Sequence, residues 1–236
     1  LNLLDCLLEF KIRYFIFSSS AAVYGQPLKT PIPEEHPLNP INPYGATKFM
    51  VERMLQDYDR AYGLKYISLR YFNAAGADPE GQLGECHQPE THLIPNLLLY
   101  FLGKKENFMV YGYDFPTRDG TAIRDYIHVT DLARAHVLAL DRLVSENSSQ
   151  VLNLGSSRGY SVLEVIKETE RVTGLTRPIN FGQRREGDVP VLLASSEKAE
   201  KYLDWQRKYS ELYTIIKTAW EWHRSHQIGR AQSGQC

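Results

Sequence analysis

The chain has 236 residues, 27 of them basic and 28 acidic, with a formal net charge of -1, so bulk electrostatics select neither nucleic acid nor an anionic membrane surface as partner. With 43% hydrophobic and 23% charged residues, it reads as a soluble globular protein of one large or two small domains. Its apolar runs are too short to span a bilayer, and Cys6, Cys86 and Cys236 show no metal-ligand or redox spacing, which suits a reducing, cytosolic setting.

Leu1 to Glu9 has a helical pattern with Leu3, Leu4, Leu7 and Leu8 on one side. Asp5, Glu9, Lys11 and Arg13 interrupt the first segment, which a secretory leader would not tolerate. The chain has no initiator methionine and starts inside a helical pattern, so it is expected to lack its N-terminal part. Lys11 to Phe17 reads as a buried strand and ends in Ser18-Ser19-Ser20. Hydroxyls at the end of a parallel strand face the crevice where open α/β sheets bind ligands; a polar turn is the alternative. Gly25 to Pro43 is proline-rich and irregular.

Pro43-Tyr44-Gly45-Ala46-Thr47-Lys48 opens the next helix. Asn42 suits the N-cap, Pro43 the first helical position and Gly63 the C-cap. Tyr44 and Lys48 are four residues apart and share a face, continued by Val51, Leu55, Tyr58 and Tyr62, an apolar stripe expected to be buried. An ammonium beside a phenol stabilises phenolate and supplies a base usable near neutral pH. Spacing alone also fits a Tyr-Lys pair at the rim of a core helix.

Lys65 to Tyr71 reads as a strand, and the alternation of helices and strands indicates parallel α/β architecture. Asn73 to Ala77 follows, either a tight turn or a place of close approach to a ligand. A polar loop covers Asp78 to Thr91, and a helix Leu93 to Gly103. Further strands are expected at Phe108 to Tyr111, Tyr126 to Val129, Val151 to Leu154 and Pro178 to Phe181. Arg124-Asp125 falls in a loop, and Thr130 caps a helix to about Leu143. Ser161 and Glu164 form a capping box. Gly182 to Asp188 is a charged loop, and helices run from Ser196 to Leu203 and from Ser210 to about His226, before a polar tail from Gly229.

Ser18-Ser19-Ser20-Ala21-Ala22-Val23-Tyr24-Gly25, Tyr44-x-x-x-Lys48 and Arg70-Tyr71-Phe72-Asn73 together resemble the extended short-chain dehydrogenase/reductase superfamily. Arg124 to Leu132, with Arg184-Arg185-Glu186-Gly187-Asp188, narrows the resemblance to the UDP-glucose 4-epimerase family. It covers Leu1 to about His226. The resemblance implies an α/β fold: the C-terminal part of a Rossmann-type parallel sheet with a smaller α/β substrate-binding domain. Residues 1–72 would be what remains of the NAD-binding domain and 73–228 mainly the UDP-sugar domain, with segments near 120–155 returning to the Rossmann sheet and 229–236 as tail.

The resemblance further implies a reaction in which a hydride passes from sugar C4 to NAD and returns to the other face of a 4-keto intermediate. Tyr44 would be the base, with Lys48 promoting its ionisation and contacting the nicotinamide ribose. Ser20 would bind the sugar hydroxyl and relay the proton, and Phe72 would lie beside the nicotinamide. Asn73, His92, Leu93, Met109, Val110, Tyr111, Arg124, Arg185 and Asp188 would hold the UDP-sugar, the two arginines at the diphosphate and Asp188 at the ribose. Leu192 would stand where the family gates the C2 substituent, leaving hexose and N-acetylhexosamine both open. A homodimer through the helices near Leu1 to Glu9 and Tyr44 to Tyr62 is implied, with a cytoplasmic role in galactose metabolism. Arg184 reads as a surface charge, His128 as a packing residue at a strand end, and no metal site is suggested.

The pattern departs from the family at one point. No G-x-x-G-x-x-G or G-x-G-x-x-G occurs in the chain, so the phosphate-binding half of an NAD site is not encoded here. Ala21-Ala22 stands where superfamily dehydratases and decarboxylases carry an acidic pair, which favours simple epimerisation. Two other functions stay open: another nucleotide-sugar reaction on the same scaffold, and a UDP-sugar-binding fragment without turnover.

Overall fold

The structure is a computed structural model that describes residues 1–233, and the side chains of residues 1–225. In chain order the elements are α1 (Asn2–Glu9), β1 (Tyr14–Ser20), a short turn of 3-10 helix (Ala21–Tyr24), α2 (Pro43–Tyr62), β2 (Lys65–Tyr71), β3 (Asn73–Ala75), α3 (Leu93–Phe101), β4 (Met109–Tyr111) and β5 (Ile123–His128). They continue as α4 (Val129–Glu146), β6 (Gln150–Leu154), β7 (Gly159–Ser161), α5 (Val162–Thr173), β8 (Asn180–Gly182), β9 (Val191–Leu192), α6 (Glu197–Leu203) and α7 (Leu212–Ser233). The chain divides into two compact units: residues 1–72, 132–157 and 193–206, and residues 73–131, 158–192 and 207–236. No helix among the described residues is long and apolar enough to cross a membrane.

The first unit holds a parallel sheet in the order β1-β2-β6, with Ser20 opposite Tyr71 and Tyr71 opposite Leu154. Leu4, Leu55, Leu64 and Tyr66 form a buried cluster, against which Leu7, Leu8, Phe15, Phe17, Val51, Met54 and Tyr58 pack. Leu4, Leu7 and Leu8 follow the i, i+3, i+4 spacing of a helix face. Leu3 lies one residue off that face and is exposed.

The ends of α2 follow the chemistry expected of them. Asn42 Oδ1 accepts the Gly45 N–H at 2.8 Å, and Gly63 takes the left-handed conformation at φ 73°. Its stripe is a different matter: Tyr62 is 64% exposed. The residues of α2 that are buried are Gly45, Glu52 and Leu55. At ~100° per residue, that line puts Tyr44, Val51, Tyr58 and Tyr62 on the flank of the buried face. Gly45 is required because a Cβ there would lie 2.4 Å from the Ala22 carbonyl oxygen.

In the second unit β3, β5 and β7 form a sheet, with β9 also paired to β5, and β4 pairs with β8 in parallel. Leu97, Leu98 and Phe101 of α3, Val165 and Ile166 of α5, and Ile215, Ile216 and Ala219 of α7 build its core. Ser161 and Glu164 complete the expected capping box. Three expectations are corrected. Arg124 and Asp125 lie on β5 rather than in a loop, because β9 and β7 pair with this stretch and satisfy its backbone. The start of α4 is served by His128 instead of Thr130: His128 Nδ1 accepts the Thr130 N–H at 3.1 Å. The tail expected from Gly229 is helical through Ser233, and residues 234–236, with Cys236, lie outside the described residues.

Candidate active site

In the first unit, β1 delivers three consecutive serines with three different partners. Ser18 faces His136, Oγ to Nε2 at 3.0 Å. His136 Nδ1 lies 2.8 Å from the Leu132 carbonyl, to which it can only donate, so Nε2 is left to accept from Ser18. Ser19 Oγ donates to Glu52 Oε1 at 2.6 Å. Ser20 Oγ accepts the Ala22 N–H at 3.1 Å. A hydroxyl carries its own donor besides two lone pairs, and among the described residues that of Ser20 is committed to no acceptor. The strand therefore runs through all three serines, and the polar-turn alternative does not hold.

Lys48 Nζ donates to the Ser18 carbonyl at 2.9 Å and lies 5.6 Å from the centre of the Tyr44 ring and 5.2 Å from that of Phe17. An ammonium has three donors, so two remain beyond the Ser18 bond. The Tyr44 ring is 55% exposed. Phe72, half-buried, follows β2 directly and donates its N–H to the Leu154 carbonyl at 3.3 Å. Tyr44, Lys48 and Ser20 are thus brought to the C-terminal ends of parallel strands, with Phe72 at the end of the neighbouring strand. This is where open α/β sheets bind ligands. Two further lysine donors beside a phenol suit a ribose. The glycine-rich turn that would cradle a dinucleotide's pyrophosphate is not in this sequence, so the residues present fit the nicotinamide end of NAD only.

In the second unit, Arg124 on β5 donates to the carbonyls of Ile123 at 3.0 Å and Val189 at 2.8 Å. Burial lowers its pKa, against the opposing pull of Tyr126 and Asp188, yet an arginine stays cationic throughout the useful pH range. Arg185 Nε donates to Asp188 Oδ2 at 3.0 Å, and its guanidinium lies 5.2 Å from the centre of the Tyr111 ring. Arg184 instead pairs with Asp114 at 2.6 Å and covers the Phe115 ring at 4.3 Å.

Alternation along β4 separates the three residues assigned there. Met109 and Tyr111 are exposed, whereas Val110 turns into the core. Only the Val110 backbone could reach a ligand. Phe181, which no sequence motif singled out, is exposed on β8 and meets Tyr113 edge-on at 6.4 Å. Asn73 Nδ2 donates to the Asp125 carbonyl at 2.8 Å. Leu93 packs against the core, and Leu192 is the strand partner of Arg124. His92 precedes α3 and contacts Glu85 and Glu90.

The model of the NAD dependent epimerase/dehydratase family matches residues 1–155. The UDP-glucose 4-epimerase of Lactobacillus helveticus is 48% identical over 229 residues, 97% of this chain and 69% of that protein. The chain belongs to the NAD dependent epimerase/dehydratase family. Within that family, the UDP-glucose 4-epimerase of Halalkalibacterium halodurans is 49% identical, with 97% of this chain and 68% of that protein covered. Among solved structures, UDP-glucose 4-epimerase from Brucella ovis in complex with NAD is 50% identical with a TM-score of 0.90, covering 92% of this chain and 67% of that one. The Bifidobacterium longum enzyme in complex with NAD+ and UDP is 38% identical with a TM-score of 0.90, covering 96% and 68%. The mixed α/β fold with parallel strands is therefore that of the Rossmann-type epimerases of this family.

One network was not legible from sequence motifs. Arg70 and Glu52 are both buried and bonded through Nε–Oε1 at 2.9 Å and Nη2–Oε2 at 2.5 Å. Arg70 Nη1 also donates to the Tyr24 hydroxyl at 3.0 Å, and Tyr24 donates to Asn153 Oδ1 at 2.7 Å. The signal available was an acidic residue on α2, four positions beyond Lys48.

Proposed function

We propose that the protein interconverts UDP-glucose and UDP-galactose by NAD-dependent epimerisation at C4. The observation that supports the reading is Lys48, which bonds the Ser18 carbonyl two residues before the end of β1 at Ser20 and lies 5.6 Å from the centre of the Tyr44 ring. Names of close relatives, UDP-glucose 4-epimerases at 48–49% identity, agree with it.

NAD supplies reversible hydride acceptance at C4. The residues of this chain supply the rest. Tyr44 takes the proton of the C4 hydroxyl, and the Lys48 ammonium attracts the negative charge that develops on the phenol. Ser20 holds the same hydroxyl and offers its own proton as a relay. Because the proton and the hydride both return, the products contain every atom of the substrate, and the cofactor is not consumed. Arg124 and Arg185 suit the diphosphate, since a guanidinium presents a fork to two phosphate oxygens. Asp188 suits a ribose hydroxyl, and exposed Tyr111 offers a flat face to a base.

Incubation of the complete protein, its N-terminal part included, with UDP-galactose tests the proposal: UDP-glucose forms without net reduction of NAD. A 4-keto or decarboxylated product would replace the reading with another reaction of the superfamily.

We also infer a cytosolic homodimer acting in galactose metabolism. Leu3 on α1, and Met50 and Tyr62 on α2, are all more than half exposed, which suits pairing through these helices. Sedimentation equilibrium at micromolar concentration gives twice the chain mass if this holds.

A further inference from the structure

Glu85, His87, Glu90 and His92 lie within eight residues of sequence, and each offers one donor atom within 4.8 Å of the others. His92 Nδ1 is 2.5 Å from Glu85 Oε1 and 3.2 Å from Glu90 Oε1. His87 Nδ1 is 2.9 Å from Glu85 Oε1 and 3.8 Å from Glu90 Oε2. Both imidazoles therefore turn the same nitrogen, Nδ1, toward the same two carboxylates. We propose that these four side chains form a zinc site.

Donor type selects the metal. Two imidazoles and two carboxylates suit zinc and its neighbours, whereas magnesium and calcium take all-oxygen shells. The neutral imidazole tautomer with hydrogen on Nε2 leaves the Nδ1 lone pair free to bind. Geometry fits as well. Bonds of ~2.0–2.2 Å at tetrahedral angles place donors roughly 3.3–3.5 Å apart. The observed separations bracket that range, and the closest pair opens by less than about 1 Å on binding.

The loop is held in place independently of any ion. Glu90 Oε1 accepts the N–H groups of Thr91 and His92 at 2.7 and 2.8 Å. The Glu85 carbonyl accepts Trp222 Nε1 from α7 at 3.0 Å. Gly84 lies against the same indole so closely that a Cβ would sit 2.2 Å from its ring. Such supports orient ligands and raise affinity. The carboxylates are largely covered, and the imidazoles are 58% and 59% exposed, so solvent can deliver the ion. Exposed ion pairs contribute little to stability and give no reason for this convergence.

The site goes beyond the epimerase reading; of its four residues only His92 was also expected to hold the UDP-sugar, and zinc binding is read without substrate, so either reading can fail without the other. The test is titration of metal-free protein with zinc at pH 7.5 against a chromophoric chelator, with X-ray absorption on the zinc-loaded protein. One zinc binds per chain, and His87→Ala and His92→Ala each weaken it at least about 10-fold, while excess magnesium does not displace it. The absorption edge shows a nitrogen/oxygen shell at ~2.0–2.1 Å with imidazole scattering. Circular dichroism of both variants establishes that they fold. Three results would overturn the site: no stoichiometric binding, affinity unchanged in both variants, or a sulfur neighbour at ~2.3 Å, which would move the ion to Cys86.

Discussion

Arg70 on β2 and Glu52 on α2 form a buried, two-pronged ion pair, both bonds being 2.9 Å or shorter. Glu52 also receives the Ser19 hydroxyl from β1 at 2.6 Å. One carboxylate thus ties together the helix that carries Tyr44 and Lys48, the strand that ends at Ser20, and the strand that leads to Phe72. Removing one partner of a buried pair leaves an uncompensated charge, at a cost of about 3–5 kcal/mol. Glu52→Ala should therefore lower stability by that amount in urea unfolding. The double variant Glu52→Leu with Arg70→Met should recover much of the loss, because no charge is then stranded. A double variant less stable than both singles would show that the pair itself, and not the stranded charge, sets the cost.

That pair also marks the limit of what the sequence conveys. The ends of α2 were legible because Asn42, Pro43 and Gly63 act locally, and the capping box at Ser161 for the same reason. Parallel α/β architecture followed from the alternation of helices and strands, whereas the order β1-β2-β6 came only with the structure. Glu52 was hidden because a charged residue on a helix reads as solvated until its partner is known, and Arg70 lies 18 residues away. Arg124 was misplaced because two charged residues in a row look like a loop; β9 and β7 convert them to strand from a distance. Tyr44 and Lys48 were singled out by type and spacing, the Ser18-Ser19-Ser20 run by its place at a strand end, and Ser20 within it by the family resemblance. Val110 was expected in a segment that lines the nucleotide pocket, and the pleat of β4, which sends its side chain into the core, was not legible beforehand.

His128 gives a pH signature. Burial lowers its pKa, more than Asp131 and Asp78 raise it. The unfolded chain therefore binds a proton that the folded chain resists, and stability rises with pH across that window. The contribution is fully present above the unfolded value of ~6.5 and diminishes as pH falls through the lower folded value. His128→Asn should flatten the pH dependence of urea stability between about pH 7 and pH 5, alongside a constant loss from the Thr218 contact at 3.0 Å. Parallel curves for the two proteins would count against it.

Arg185 is well exposed and, among the described residues, bonded only to nearby Asp188 and the Tyr111 face, so its removal should leave the melting temperature within about a degree or two. If it holds a diphosphate, Arg185→Ala loses a charge-assisted hydrogen bond, worth about 1.5–3 kcal/mol or roughly 10- to 100-fold in UDP affinity. Calorimetric titration with UDP measures this. Unchanged affinity would remove Arg185 from the nucleotide site.

Gly45 should be intolerant of any side chain. A Cβ there meets the Ala22 carbonyl oxygen at 2.4 Å, and relief would require α2 to move away from the turn that follows Ser20. Gly45→Ala should lower turnover more than it lowers UDP affinity, since the displaced helix carries Tyr44 and Lys48. Equal losses in both would point to general unfolding, which thermal melting would reveal.

Tyr44, as the proposed base, is the residue on which turnover should depend most. The decisive measurement is the rate of UDP-glucose formation from UDP-galactose by the Tyr44→Phe variant of the complete protein, its N-terminal part included, with UDP affinity measured on the same preparation. The phenol is exposed and packs into no core, so the variant should fold and bind UDP normally. Turnover should fall by about 10²-fold or more, the scale of a general base. Turnover close to that of the unaltered protein would contradict the assignment.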